Sequence, residues 1–263
     1  PESTPVKRTA LGRFAHEGLV FAPVKPGRPV VCYSGDDSQN EYIYKFVSRG
    51  KYLPGRSNGS LLDEGTLYVA RFKADGQGEW LALDIQDKAF QAACQAAGVS
   101  FADQGEVLIN TRLAADIVGA TKMDRPEWGA VNPHNGEVYF TLTNNSSRTV
   151  ADAANPRPAN AYGHIIRWRE LSRDYAGRAF AWSLFLLAGP EGDSLDVNGK
   201  PLSADNRLAS PDGLWFDDDG RLWIQTDMSG SQLASGPFGN NQMLVADPRT
   251  GEMKRFLVGP VGC

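Results

Sequence analysis

The chain is poor in the features that mark membrane, nucleic-acid and disulfide proteins. Its 263 residues include only three cysteines and three histidines. The longest apolar-rich stretch, AFAWSLFLLA at 179–188, is about half of the roughly 20 residues that a membrane-spanning helix needs, so no membrane partner is expected. Lys and Arg number 27 against 31 Asp and Glu, a formal charge of −4. That balance lacks the basic excess that neutralises a phosphate backbone, and it excludes nucleic acid as a stable partner. Cys32, Cys94 and Cys263 are odd in number and far apart, which fits neither a disulfide framework nor a zinc site. Packing is expected instead: Cys32 in a strand, Cys94 on a helix, and Cys263 in an apolar setting. The opening PESTPVKRTALGRF has no charged region followed by an apolar core, so it does not read as a signal peptide. The chain stops at VGPVGC, where another strand is expected, and both ends read as cuts.

What is present is a repeat. HEGLVFAPVKPGRPVVCYSGDD from His16, RPEWGAVNPHNGEVYFTLTNN from Arg125 and SPDGLWFDDDGRLWIQTD from Ser210 share one form. Each runs from a carboxylate through an apolar strand, a Pro/Asp/Gly turn and a β-rich strand to a polar end. A third strand follows in each copy, EYIYKF, GHIIRW and NQMLVA, and then a fourth, GEWLAL, AFAWSLFLLA and GEMKRFLVG. Four antiparallel strands repeated in this way define a β-propeller blade. The fold class is therefore all-β, a partial propeller of about three to four blades forming one domain over 1–263. LDEGTLYVARF, from Leu62, is an additional strand without an assigned place.

A helical insertion is expected over about 85–119. Ile85, Ala89, Phe90, Ala93, Cys94 and Ala97 fall at helical spacing, with Gly98 as the stop. Asp103 and Glu106 form a capping pattern ahead of Val107, Thr111, Ala114 and Val118, which predicts a second helix ending at Gly119. Two polar loops, 146–162 and 189–207, offer further functional surface on the repeat scaffold.

In a propeller the innermost strands line the axis, so residues at equivalent positions converge at one mouth. Glu17, Glu127 and Asp212 are thus candidate metal ligands. Oxygen donors held together favour a hard cation such as calcium. Arg125 precedes Glu127 by two residues and points to the same side in extended backbone. It can fork onto phosphate oxygens or form a salt bridge that holds Glu127. His16, His134 and His164 are weaker candidates, read chiefly as structural. For Asn144, Asn145, Asp227 and Asn241, at strand ends, turn capping is the main expectation. A serine-nucleophile elbow is not expected.

RTALGRFAHEG, GDD with EYIYKFVS, DEGTLYVARF, EVLINTRLAAD, DRPEW, GHIIRW, SPDGLWFD, LWIQTD and FLVGPVGC together resemble the PhoX-type alkaline phosphatases of bacteria over nearly the whole chain. The resemblance implies a phosphomonoesterase on a six-bladed propeller, exported folded by the twin-arginine route to the periplasm or beyond. It also implies small-molecule phosphate esters as substrates, a monomeric full-length protein, and an axial site with calcium ions and an oxo-bridged iron pair. The family's metal ligands map onto Glu17 of HEG and Glu127 of RPE, and its phosphate-contacting arginine onto Arg125. Asp212 is an extension from the repeat alone. The family's N-terminal Thr-Cys-Glu-Glu segment and its later blades are not in this sequence, so the 263-residue piece is itself expected to be inactive. Rival expectations are a calcium-dependent lactonase or phosphodiesterase, and a non-catalytic propeller scaffold.

Overall fold

The computed structural model describes residues 4–260, so Cys263 lies outside them. In chain order come β1 (His16–Phe21), β2 (Pro29–Asp36), β3 (Gln39–Glu41), β4 (Ile43–Lys51), β5 (Gly65–Phe72) and β6 (Gln77–Ala82). Helices α1 (Lys88–Ala97), α2 (Gln104–Ile109) and α3 (Thr111–Ile117) follow. The second blade is β8 (Pro126–Val131), β9 (Val138–Leu142), β10 (His164–Glu170) and β11 (Ala179–Leu187), introduced by the short β7 (Met123–Asp124). The third is β12 (Pro211–Phe216), β13 (Leu222–Thr226), β14 (Gln242–Ala246) and β15 (Met253–Val258), with helix α4 (Gly230–Ser235) inside it.

Every within-blade pairing is antiparallel, and the fold is an all-β propeller. Three of the hairpin turns are built by side chains that mimic a backbone turn. Asn132 Oδ1 accepts from the His134 amide, Asp217 Oδ1 from the Asp219 amide and Asp247 Oδ1 from the Arg249 amide. Gly136, Gly220 and Gly251 then close these turns at φ 73°, 79° and 76°, where a side chain is disfavoured.

The first blade differs from the expected strand count. Its fourth strand is β5, the stretch left without a place, and GEWLA is a fifth strand, β6. The cause is the Asp75–Gly76 turn: Asp75 Oδ1 accepts from the Gln77 amide and folds β6 back onto β5. β6 also pairs with β11 through Gln77, Gly78 and Glu79, so blades one and two form a continuous nine-stranded sheet. Gly78 permits this close approach, because a Cβ there would lie 2.1 Å from the Phe180 ring.

Aromatic side chains fill the space between blades one and two. Tyr33, Phe72, Trp80, Phe140, Trp168 and Phe180 are buried together, with edge contacts such as Tyr33 to Trp168 at 5.3 Å between centroids. Large rings suit a wedge-shaped gap between twisted sheets, since each buries a broad face at little conformational cost. Inside this core lies one charged group of each sign. Lys45 Nζ is 2.9 Å from Glu170 Oε2, and both side chains are fully buried. Glu170 Oε1 accepts from the Tyr33 hydroxyl and the Trp80 indole, each at 2.9 Å. Blades two and three share a more aliphatic core that includes Tyr139, Phe185, Leu214, Leu222, Ile224 and Leu244.

The insertion packs its apolar face, including Phe90, Cys94, Val107 and Ala114, against Phe46, Leu67 and Val69 of blade one. Asp87 caps α1 by accepting from the Ala89 and Phe90 amides, and Gly98 ends it in the left-handed conformation. Asp103 caps the next helix through the Glu106 amide. That helix does not run unbroken to Gly119; it divides at Asn110, whose side chain donates to the Glu106 carbonyl, while the Thr111 hydroxyl donates to Leu108. Such local side-chain bonds compete with the helical ladder. Cys32 and Cys94 are both buried, in β2 and α1. No helix among the described residues is long and apolar enough to cross a membrane.

Candidate active site

The three inner strands carry the same irregularity at the same place. Register shifts occur between His16 and Leu19 in β1, between Pro126 and Gly129 in β8, and between Pro211 and Leu214 in β12. In each, the candidate carboxylate is the second residue of the strand. A bulge re-aims a side chain and ends regular pairing, and bulges recur beside functional sites. The repeat in sequence is therefore a repeat of bulged strand starts, which turn Glu17, Glu127 and Asp212 towards one region.

Arg125 is the counter-charge of that region. Its Nε lies 2.7 Å from Asp37 Oδ1, and its Nη2 lies 2.9 Å from Glu127 Oε1. The closest contacts of the two ion pairs run through Nε and Nη2. The backbone of Arg125 is left-handed, φ 60°, a conformation that a non-glycine residue adopts at some cost and that surrounding structure must impose. Neighbouring Asp124 supplies the constraint. It is fully buried, paired with the Arg148 guanidinium, and accepts from Asn160 Nδ2 at 2.9 Å. Close packing helps from the other side: a Cβ on Gly35 would lie 2.3 Å from the Pro126 carbonyl, so only glycine lets β2 reach this turn.

The electrostatics follow from crowding. Glu127 is only 3% exposed, and its Oε2 has no hydrogen-bond partner among the described residues. Burial pushes its pKa up to about 9; the Asp212 carboxylate adds to the rise, while Thr143 and Arg125 oppose it. Asp212 is raised as well, by burial first and then by Asp227 and Asp37, against the pull of Glu127 and Arg125. Glu17, more open, rises through partial burial and the charges of Asp37, Asp212 and Asp227. Glu127 and Asp212 therefore titrate as a pair that retains a proton at neutral pH.

Glu17, Arg125, Glu127 and Asp212 thus act on one another electrostatically. Among the described residues, however, no group of three or more His, Cys, Asp or Glu is arranged to hold a metal ion. Asp37 was not anticipated as a partner of Arg125. Its signal was the polar end of the second strand, GDD in copy one matching QTD in copy three, and Asp227 of that third copy also acts on Glu17, Arg125 and Asp212.

The remaining candidates are structural. The His16 ring stacks on Phe14 and is hydrogen bonded to Ser34 Oγ and the Gly12 carbonyl. Asn145 bonds Asn40, and Asn144 accepts from Gln39. Asn241 accepts from the Thr226 hydroxyl and the Met228 amide as a turn cap. His134 packs against the Gly220 turn. One stretch, Gly55–Arg56–Ser57–Asn58–Gly59, spells the glycine-x-serine-x-glycine pattern of a nucleophile elbow, but it lies in an exposed turn after β4. An elbow needs a strand-to-helix turn, which is absent there.

His164 is fully buried, bonded to Asn160 through Nδ1 and to the Ala154 carbonyl through Nε2. Burial lowers its pKa from 6.5 to about 4. The unfolded chain therefore binds a proton between these values that the folded chain refuses. Stability is fully present above pH 6.5 and falls as pH drops towards 4, by about 3 kcal/mol at most. Urea unfolding at pH 7 and pH 4.5 should show that loss, and His164→Gln should reduce the difference.

Fold and site together define a propeller whose inner strands bring carboxylates towards one arginine. The family model of alkaline phosphatase PhoX matches residues 1–263. A solved structure, Pseudomonas fluorescens PhoX in complex with vanadate, a transition state analogue, is 48% identical. It superposes with a TM-score of 0.85 over 100% of this chain and 47% of that one. No curated protein matches. The chain belongs to the PhoX family of alkaline phosphatases, and it spans about half the length of that solved relative.

Proposed function

We propose that the full-length protein containing this chain hydrolyses phosphate monoesters at the axial mouth, with a calcium-type cation held by Glu17, Glu127 and Asp212. The observation that carries the reading is Glu127, a buried carboxyl with a raised pKa, whose Oε2 has no hydrogen-bond partner among the described residues and whose Oε1 lies 2.9 Å from Arg125 Nη2. An orphaned buried oxygen is costly unless a ligand completes it. A set of oxygen donors alone suits a hard cation. Iron, which the resemblance also implies, finds nothing among the described residues that selects it; Cys32 and Cys94 pack elsewhere, and no step is derived through it.

Arg125 binds a phosphoryl oxygen and stabilises charge that develops in the transition state. Asp37 and Glu127 orient its guanidinium plane from Nε and Nη2. The cation, when bound, polarises the phosphoryl oxygens and neutralises part of their charge. Were Glu127 and Asp212 to hold the cation, the proton that the pair retains would leave as they bound it. A calcium-held site also suits the periplasm or the cell exterior, where modules with modest calcium affinity operate. The 263-residue chain alone, with three axial sectors, is expected to turn over far less than the full-length protein.

Titrating the metal-free full-length protein with calcium at pH 7 should release about one proton per site, and apparent affinity should climb as pH approaches 9. Proton-independent binding would contradict the assignment. A panel of p-nitrophenyl phosphate, a phosphodiester and a lactone should show clear preference for the monoester; preference for either of the others would support the rival activity.

A further inference from the structure

We propose that Arg112, on the inserted helix α3, is a positioning residue for the axial site, fixing the Asp36–Asp37 turn that holds both the start of β1 and the Arg125 guanidinium. The inference rests on the phosphatase reading above. It concerns a side chain that contacts neither Arg125 nor the three carboxylates assigned to the cation, and it gives the helical insertion a role in the reaction.

The contacts form a short chain of dependence. Arg112 grips Asp36 with two bonds, Nε to Oδ2 at 2.7 Å and Nη2 to Oδ1 at 2.6 Å. Its Nη2 also reaches Ser38 Oγ at 3.2 Å. Asp36 is fully buried, and a bidentate guanidinium fixes the orientation of its carboxylate. Asp36 Oδ1 accepts from the Ala15 amide, and the Asp37 amide donates to the Ala15 carbonyl at 2.9 Å. Together these bonds set the strand start that carries Glu17. Asp37 then places its carboxylate 2.7 Å from Arg125 Nε.

A second arm runs through β3. Arg112 Nε lies 3.5 Å from Glu41 Oε2, and β3 pairs with β7 through Gln39 to Asp124 and Glu41 to Met123. β7 leads directly into the left-handed backbone of Arg125. Arg112 thus braces the approach to Arg125 from both sides. The helices α2 and α3 lie as an insertion between two blades, and α3 meets the Asp36–Asp37 turn through Arg112. Arg112 is 43% exposed, so shortening it opens the surface and leaves no sealed cavity.

A salt bridge that only ties the insertion to blade one would change stability and leave binding and turnover alone. Positioning acts on the site, because ligand-orienting partners outside the first contact layer change affinity or activity by about 10–100-fold. The test is steady-state kinetics of the metal-loaded full-length protein and its Arg112→Ala variant on p-nitrophenyl phosphate, with inorganic phosphate as competitive inhibitor. The variant should show kcat reduced about tenfold and the phosphate inhibition constant raised about tenfold. If Arg112→Ala does not fold, Arg112→Gln keeps one hydrogen bond to Asp36 and should show the same direction. A folded variant whose kcat, KM and inhibition constant all stay within about twofold of the parent overturns the inference, whatever its melting temperature. A parent that hydrolyses no monoester and binds no phosphate overturns the functional reading and the inference together; an active parent matched by its variants overturns the inference alone.

Discussion

Replacing Glu127 with Gln should abolish calcium loading and monoester hydrolysis together, with turnover falling at least about 100-fold in the full-length protein. The amide keeps the shape of the side chain but cannot become an anionic ligand, and it offers Arg125 Nη2 only a neutral acceptor where the carboxylate oxygen lies at 2.9 Å. Metal-free stability separates loss of the site from loss of the fold. The folded pKa of Glu127 is raised from 4.5 to about 9. Its favourable contribution is therefore fully present below pH 4.5 and is lost as pH rises towards 9. The metal-free parent should become easier to unfold across that window, and the Gln variant should show a flatter profile. Calorimetric calcium titration with parallel kinetics checks both. Full calcium content with normal turnover in the variant would sink the assignment.

The largest effect on folding is expected at Glu170. Its Oε2 lies 2.9 Å from Lys45 Nζ, and its Oε1 accepts two further bonds from Tyr33 and Trp80. Lys45 Nζ also donates to the Gly177 carbonyl at 2.8 Å and lies over the Trp80 ring. Burial alone would lower the pKa of Lys45 and raise that of Glu170, and each partner opposes the shift in the other. Glu170→Leu leaves a buried ammonium with one carbonyl and orphans the Tyr33 hydroxyl and Trp80 indole. Breaking one side of such a pair costs about 3–5 kcal/mol, equivalent to roughly 10 °C in melting temperature. The double change Glu170→Leu with Lys45→Met should recover much of the loss, since replacing both partners by apolar groups is often near neutral. Thermal unfolding of the parent and the two variants measures this; a single mutant as stable as the parent would show that the network holds nothing.

The blade pattern was legible because turn chemistry and strand alternation are local, and they recur. Asn132, Asp217 and Asp247 each spell their own hairpin. The place of β5 and β6 was not legible, because β6 pairs on both edges and only tertiary contact with β11 decides the order. The break at Asn110 was hidden for a different reason: apolar spacing continued through it, while the break came from side-chain bonds to Glu106 and Leu108. That Glu17, Glu127, Asp212 and Arg125 lie near enough to act on one another could be read from the repeat. Asp37 carried a signal in its polar strand end, but its partner could not be read, because that depends on the left-handed turn at Arg125, which brings a guanidinium to a strand end 88 positions earlier in sequence. The dependence of Asp36 on Arg112 likewise joins a strand to a helix that lies far along the chain.

The most direct test of the account is a crystal structure of the full-length protein grown with calcium and inorganic phosphate. The account predicts calcium bound by carboxylate oxygens of Glu17, Glu127 and Asp212, with a phosphate oxygen on the Arg125 guanidinium. Calcium held elsewhere, or phosphate bound without contact to Arg125, would contradict it.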